Sequence, residues 1–217
     1  MRPYIILHNS ISLDGSLINF EVNMELHYQI ASKYKPNAHL IGSNTIKTGL
    51  KLYGTSPPEE KNDFKKPKRN NNLPYWIIID TKGKLINHLH EIRRSEICKD
   101  IIILISKSTK NDYIKYLELR DYDHHIIGNE KVDLKKSFKI LNKKYKINKI
   151  LTDTGKILGN ILLNSGLVNE ISLLIHPIIV GNNDYNIFSN INKSIKLELF
   201  KKEILKNNYI WLKYKIK

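Results

Sequence analysis

The chain has 217 residues, 36 Lys+Arg against 21 Asp+Glu for a formal charge of +15, 41% hydrophobic residues and a single cysteine, Cys98. That apolar fraction supports a sizeable core and excludes wholesale disorder, and one cysteine excludes an intrachain disulfide framework. No run approaches the roughly 18 apolar residues of a membrane span, and Tyr4-Ile5-Ile6-Leu7 is too short for a secretory signal, so the expectation is a soluble cytoplasmic protein.

The first strand, Tyr4 to Leu7, runs into His8-Asn9-Ser10-Ile11-Ser12-Leu13-Asp14-Gly15. A polar, small-residue stretch at the carboxyl edge of a sheet is where α/β folds bind ligands, although Asp-Gly is by itself a turn signal. Asn23 can cap a helix carrying Leu26, Ile30 and Tyr34 that ends before Pro36. His39 to Ile41 is a short strand followed by Gly42-Ser43-Asn44-Thr45, which opens a helical turn whose N–H groups suit an anion; a glycine turn with a Ser or Asn cap accounts for it equally well. Ser56 to Leu73 reads as an exposed loop and holds the densest basic run, Lys65-Lys66-Pro67-Lys68-Arg69. A nucleic-acid surface leans on Arg as well as Lys, and this chain has 31 Lys to 5 Arg within a composition skewed to 35 Ile and 24 Asn. The run therefore reads as a solvated loop, nucleic acid is not expected as a partner, and the charge favours anionic small molecules.

Tyr75 to Ile79 is a strand that ends in Asp80-Thr81-Lys82-Gly83-Lys84, either a phosphate contact or a lysine-bearing surface turn. Ile101 to Ile105 and His125 to Ile127 are further strands, and Asp133 can cap a helix with Leu134, Phe138 and Leu141 on one face. Lys149 to Leu151 is a strand leading through Thr152-Asp153-Thr154-Gly155-Lys156 into a helix, Ile157 to Asn164, stopped by Gly166; a long strand then spans Ile171 to Val180. Strand, glycine turn and helix start make the generic phosphate cradle, without a G-x-G-x-x-G fingerprint. At the C-terminus Ile195 to Phe200 and Tyr209 to Ile216 alternate around Asn207-Asn208: a β-hairpin with one wet face and Ile210, Leu212, Tyr214 and Ile216 on one side. Strands apolar at nearly every position need cover on both faces, so the fold class is α/β, a mixed sheet flanked by helices, in one domain over residues 1–217. His88, His90, His124 and His125 lack the partners of a metal site, and Cys98 reads as structural.

Taken together, the segments resemble the reductase family of riboflavin biosynthesis, the C-terminal domain of bacterial bifunctional RibD proteins and its free-standing archaeal counterparts, which share the dihydrofolate reductase fold. Ser12 to Gly15 matches its "SLDG" motif, Gly42 to Thr45 its "VG.GT" turn, Val132 to Lys136 the helix before the glycine turn, and Asp153 to Gly181 the block from "EGGGTLN" through "GLVDE" to "PKIFG". The resemblance implies reduction of a phosphorylated ribosylaminopyrimidine by NADPH, hydride reaching the imine carbon of the opened ribosylamino group. It puts cofactor contacts on Ser10, Gly42, Thr45, Thr81 and Gly155 through Ile161, including Lys156, Ile157, Leu158 and Gly159. The family's substrate-contacting glutamate falls on Asp153, one methylene shorter, and Lys51 reads either as a substitute for a phosphate-binding basic residue or, more simply, as a surface lysine. Family members commonly pair, which implies a homodimer. The sequence departs from the pattern at the triple glycine, reduced to Thr154-Gly155-Lys156, and after Thr45, where Lys47-Thr48-Gly49-Leu50 replaces an acidic pair and proline. Two alternatives are a reductase of another pterin-like heterocycle on the same fold and a basic nucleic-acid-binding protein without a cofactor.

Overall fold

The computed structural model describes residues 1–53, 56–181 and 185–217. In chain order the elements are β1 (Tyr4–Ser12), α1 (Met24–Ser32), β2 (Ala38–Gly42), α2 (Ser43–Tyr53), β3 (Tyr75–Ile79), α3 (Leu89–Arg93), β4 (Ile101–Ile105), α4 (Asn111–Leu119), β5 (Asp123–Ile126), α5 (Leu134–Tyr145), β6 (Lys149–Thr152), α6 (Lys156–Asn164), β7 (Glu170–His176), β8 (Leu197–Ile204) and β9 (Ile210–Ile216). They fall into two compact units, residues 1–3 with 37–148, and residues 4–36 with 149–217.

In the first unit the strands run β5-β4-β3-β2, all parallel. Ile101 to Ile105 are buried at every position, the continuous apolar signature of a strand covered on both faces. Ile101, Ile103 and Ile105 pack with Ile78, with Leu89 and Ile92 of α3 and with Tyr113, Tyr116 and Leu117 of α4. Neither α3 nor α4 was expected from the pattern. Asp133 caps α5 as expected, its Oδ1 accepting the Lys136 N–H at 3.0 Å, and Leu134, Phe138 and Leu141 are buried. The segment from Ser56 to Leu73 is more than a solvated loop. It holds a 3-10 turn at Lys61–Phe64, and its acids reach back to the body: Asp63 to Arg94 at 2.6 Å and Glu59 to Arg120 at 2.7 Å. Lys66 is likewise paired, to Asp123 at 3.0 Å.

In the second unit the order is β6-β1-β7-β9-β8, with β1 parallel to β6 and β7, and β9 antiparallel to β7 and β8. The mixed sheet and the C-terminal hairpin are as expected. β1 continues to Ser12, where it pairs with His176, because β7 supplies ladder partners beyond the apolar run. β7 ends at His176 rather than Val180: Pro177 has no N–H to donate, and Ile178 N–H turns back to the His176 carbonyl at 2.8 Å. The hairpin face also differs from the expectation. Trp211 is the fully buried residue of β9, while Ile210, Leu212, Tyr214 and Ile216 are only half-buried. Trp211 finds both an apolar bed, with Ile6, Ile30, Ala31, Tyr34, Leu151 and Leu174, and a buried acceptor for its indole N–H in Ser172 Oγ at 2.9 Å.

The alternation of β1 places the helices. Ile6 packs in the cluster with Ile30 and Ala31 of α1, and Leu7, on the opposite face, lies against Gly159 of α6, where an added Cβ would meet Leu7 Cδ1 at 3.6 Å. Asn23 caps α1, its Oδ1 accepting the Leu26 N–H at 3.0 Å. No described helix is long and apolar enough to cross a membrane.

Candidate active site

In the second unit, polar residues gather where β1 and β6 end. β1 is buried along nearly its whole length, yet its second half carries His8, Asn9, Ser10 and Ser12. Buried polar groups are kept mostly when hydrogen-bonded, and each of these residues makes at least one side-chain hydrogen bond. The Trp211 indole N–H donates to Ser172 Oγ, which leaves the Ser172 hydroxyl to donate to His8 Nδ1 at 2.9 Å. His8 Nε2 then carries the proton and faces the His27 carbonyl at 3.3 Å. Burial, with the neighbouring His27 adding to it, holds His8 down to about 4, so it is neutral at physiological pH.

His27 projects from α1 onto this strand. Its ring stacks on His8 with centroids 4.5 Å apart, its Nδ1 meets Ser10 Oγ at 2.9 Å, and its Nε2 lies 3.7 Å from Asp153 Oδ2. Asp153 follows β6 directly, with its side chain about one-fifth exposed (22%), so the carboxylate has one side on His27 and another open to solvent. From the other face of β1, Asn9 Nδ2 donates to the Asp153 and Thr154 carbonyls, both at 3.3 Å, and fixes the backbone of the turn. Asn9 Oδ1 is buried and has no protein partner among the described residues.

The turn then opens α6. Gly155 is its N-cap and offers no side-chain acceptor, so the helix start presents first-turn N–H groups of the kind that hold an anion. A Cβ on Gly155 would come within 2.9 Å of Tyr185 Oη, and Lys156 Nζ sits 4.8 Å from the centroid of the same ring. Backbone donors, a bare Cα and a nearby ammonium fit a phosphate. Ile157 is exposed and Gly159 buried, as one helix face against the sheet requires. The Asp14-Gly15 turn is tied to the segment that follows β7: Asp14 accepts from Ser12 Oγ, Gly181 N–H and Val180 N–H, and these bonds lower its carboxyl to about 2. Gly15 turns there with φ +83°.

The remaining expected residues lie in the first unit, again at the carboxyl ends of parallel strands. Gly42 ends β2, Thr45 stands in the first turn of α2, and Thr81 follows β3, where its carbonyl accepts from Thr109 Oγ1 at 2.9 Å. The two segments are joined by Lys84 Nζ, which donates to Asn44 Oδ1 at 2.6 Å. Lys51 is exposed in the last turn of α2, about 9 Å along the helix from Thr45 at 1.5 Å per residue. Ser10, Asp153 and Gly155 to Gly159 thus share the second unit, and Gly42, Thr45, Thr81 and Lys51 the first. The sequence places His8 and Asn9 only within the polar stretch that follows Leu7, and it does not single out His27. Cys98 is buried and its thiol donates to the Asp100 carbonyl, with burial raising it to about 12. Among the described residues no three His, Cys, Asp or Glu side chains are placed to hold a metal ion.

Comparison with known proteins gives this arrangement its context. The chain is 23% identical over 195 residues to the 2,5-diamino-6-ribosylamino-4(3H)-pyrimidinone 5′-phosphate reductase of Methanothermobacter thermautotrophicus, covering 85% of this chain and 82% of that protein. Among solved structures, it is similar to a pyrimidine reductase-like protein from Corynebacterium diphtheriae, with TM-score 0.74 and 18% identity over 99% of this chain and 92% of the other. A Saccharomyces riboflavin biosynthesis reductase matches with TM-score 0.67 and 20% identity, covering 100% and 90%. The family model described as the RibD C-terminal domain matches residues 3–210. The chain belongs to the RibD C-terminal domain family.

Proposed function

We propose that the protein is a cytoplasmic NADPH-dependent reductase of riboflavin biosynthesis that converts the ribosylamino group of a pyrimidine 5′-phosphate to ribitylamino. The observation that carries this reading is the turn after β6: a carboxylate, Asp153, stands two residues before an uncapped helix start at Gly155. NADPH supplies a hydride when bound. The Gly155 to Gly159 helix start would hold one of its phosphates, with Lys156 adding charge, and Gly42, Thr45 and Thr81 are the candidate contacts of the first unit. Asp153 would meet the substrate's ribose chain, where a carboxylate can orient hydroxyls and exchange a proton. Orientation and charge placement account for such catalysis, so no covalent nucleophile is required. The family match spans both units, which supports reading residues 1–217 as a single functional domain. A homodimer is supported by β8, an edge strand that leaves Leu197, Leu199 and Phe200 about 42–45% exposed.

Thermal stabilisation by NADPH well beyond that by NADH, together with turnover of a ribosylaminopyrimidine phosphate, is the expected result. Asp153→Ala is expected to abolish turnover and keep the NADPH stabilisation. An unchanged rate in that variant would remove Asp153 from the site.

A further inference from the structure

Arginine is scarce in this chain, and four of its five arginines, Arg69, Arg93, Arg94 and Arg120, fasten the segment from Ser56 to Leu73 to the first unit. Arg93 donates to the Asp63 carbonyl and Arg94 to its carboxylate, while Arg120 grips Glu59 with two nitrogens. Arg69, inside the segment, donates through Nη1 to the Ser95 and Cys98 carbonyls at 2.6 and 2.5 Å. A guanidinium presents several donors in a fixed fork, so it pins loop backbone in a way that an ammonium does not. Ordering a loop costs conformational entropy, and what this one builds is a cavity. Residues 66–71 form one wall, and Tyr75, Lys99, Asp100 and Asp123 the other, around about 670 Å³. Pockets for small organic ligands span about 300–1,000 Å³.

The charge on the walls is one-sided. Of the two carboxylates, Asp100 is buried against Arg93 at 3.0 Å, and Asp123 is taken by Lys66 at 3.0 Å. Lys68, Arg69 and Lys99 have no carboxylate partner among the described residues. Lys99 Nζ stands 4.8 Å from the centre of the Tyr75 ring, which holds the ammonium at the wall. The position of the cavity sets it apart from the candidate active site. Tyr75 opens β3, Asp123 opens β5, and Lys99 and Asp100 directly precede β4, so these residues mark the amino ends of parallel strands. Gly42 and Thr81 lie at the opposite, carboxyl edge, and along β3 the two edges are about 13 Å apart at roughly 3.3 Å per residue. Substrates and cofactors of α/β sheets bind at the carboxyl edge, so the cavity is not part of that crevice.

We propose that this cavity is a second binding site, for a phosphate ester carrying at least two negative charges. Lys68, Arg69 and Lys99 hold the phosphate oxygens, and the remaining volume beside Tyr75 takes the organic part of the ester. Cations gathered in one recess suit a small ester, whereas a nucleic-acid strand is served by a basic stripe with aromatic platforms along it. The proposal is independent of the reductase reading, because it uses none of the residues assigned to cofactor or substrate.

Isothermal titration of the full chain with pyrophosphate and with uridine 5′-diphosphate tests the site. Both probes are expected to bind, and the double variant Lys68→Glu/Lys99→Gln is expected to weaken each by at least about 10-fold. Lys68 is exposed and Lys99 half-buried, so the double variant leaves the core untouched. Asp123→Asn works in the opposite direction: with one carboxylate removed from the wall, pyrophosphate is expected to bind about 3-fold more tightly. Thermal stabilisation by NADPH is expected to match the wild type in both variants, since neither reaches the carboxyl edge of the sheet. Absence of binding by both probes, or binding indifferent to Lys68→Glu/Lys99→Gln, would overturn the site. Weaker pyrophosphate binding in Asp123→Asn would overturn the charge argument on which it stands. Variant-sensitive binding of an oligouridylate without binding of uridine 5′-diphosphate would overturn the small ester in favour of a nucleic-acid strand. Loss of NADPH stabilisation in step with pyrophosphate binding would show one site where two are proposed. A wild type that ignores NADPH but binds pyrophosphate through Lys68 and Lys99 would overturn the reductase reading alone and support this site.

Discussion

Replacing Gly155 by valine separates folding from cofactor binding. Gly155 sits at φ −64°, ψ 178°, extended backbone that any residue adopts, so valine introduces no backbone strain. Its Cβ would come within 2.9 Å of Tyr185 Oη, the far end of a side chain that can swing aside. Valine is a poor N-cap relative to glycine, at a cost of up to about 1 kcal/mol, but it reduces the entropy of the unfolded chain by about 0.4–1 kcal/mol. The two nearly cancel, and the free protein should melt within about 4 °C of the wild type.

Binding is expected to respond differently. A phosphate at the α6 start depends on close approach to first-turn N–H groups, and hydrogen bonds to a charged group contribute about 1.5–3 kcal/mol each. Two γ-methyls that deny the anion even two such bonds remove about 3–6 kcal/mol, at least a 100-fold loss of affinity. Isothermal titration with NADPH reads that loss directly, and Gly155→Ser provides the companion case, since its hydroxyl would cap the same donors while fitting the backbone. Unaltered NADPH affinity in Gly155→Val would refute the assignment of this turn as the phosphate cradle. A large drop in the melting temperature of the free protein would refute the packing argument instead.

Stability should fall as pH drops from about 6.5 to about 4, because the unfolded chain protonates His8 there while the folded chain keeps it neutral. The lowered value corresponds to roughly 3 kcal/mol, and melting curves of His8→Gln against pH should show a shallower acid limb. Arg93→Met should destabilise by about 3–5 kcal/mol in urea unfolding, since it strands the buried Asp100, 3.0 Å away, and removes donors from the Asp63, Arg120 and Asp121 carbonyls. Phe200→Glu on the exposed edge strand should give a monomer by light scattering while the wild type elutes as a dimer; equal masses would show that this edge is not the interface.

Local signals were readable in the sequence and distant ones were not. Tyr75–Ile79 and Ile101–Ile105 stand out because strands covered on both faces need no alternation. Asn23 and Asp133 announce their helices through a side-chain cap that acts within three residues. α4 was hidden: Lys110 gives it no side-chain cap, and its apolar stripe is made of Tyr113, Tyr116 and Leu117 among charged residues. The buried face of β9 was ambiguous for a different reason. Both of its faces carry apolar atoms once lysine stems are counted, and Lys213, paired with Glu170 at 3.0 Å, accompanies Trp211 inward. Asp153 and Gly155 could be found because strand, turn and helix are contiguous. His27 could not, because nothing near it in the sequence shows that α1 packs on the strand face bearing His8 and Ser10.

That strand does show what the site needs. After Tyr4, β1 runs as Ile5-Ile6-Leu7 and continues as His8-Asn9-Ser10, which is also buried but polar. A polar half in a buried strand is costly unless every group is paired, and the period of two decides where the pairs form. His8 and Ser10 share the face toward α1 and organise His27, whereas Asn9, on the opposite face, holds the backbone carbonyls of Asp153 and Thr154. One strand thereby reaches the same aspartate twice, through its side chain from one face and its main chain from the other. Moving a single residue out of register would exchange the two faces and lose both contacts at once. The polar run thus depends on the continuous apolar ladder on either side of it, where Ile5 pairs with Ile150 and Leu7 with Ile171.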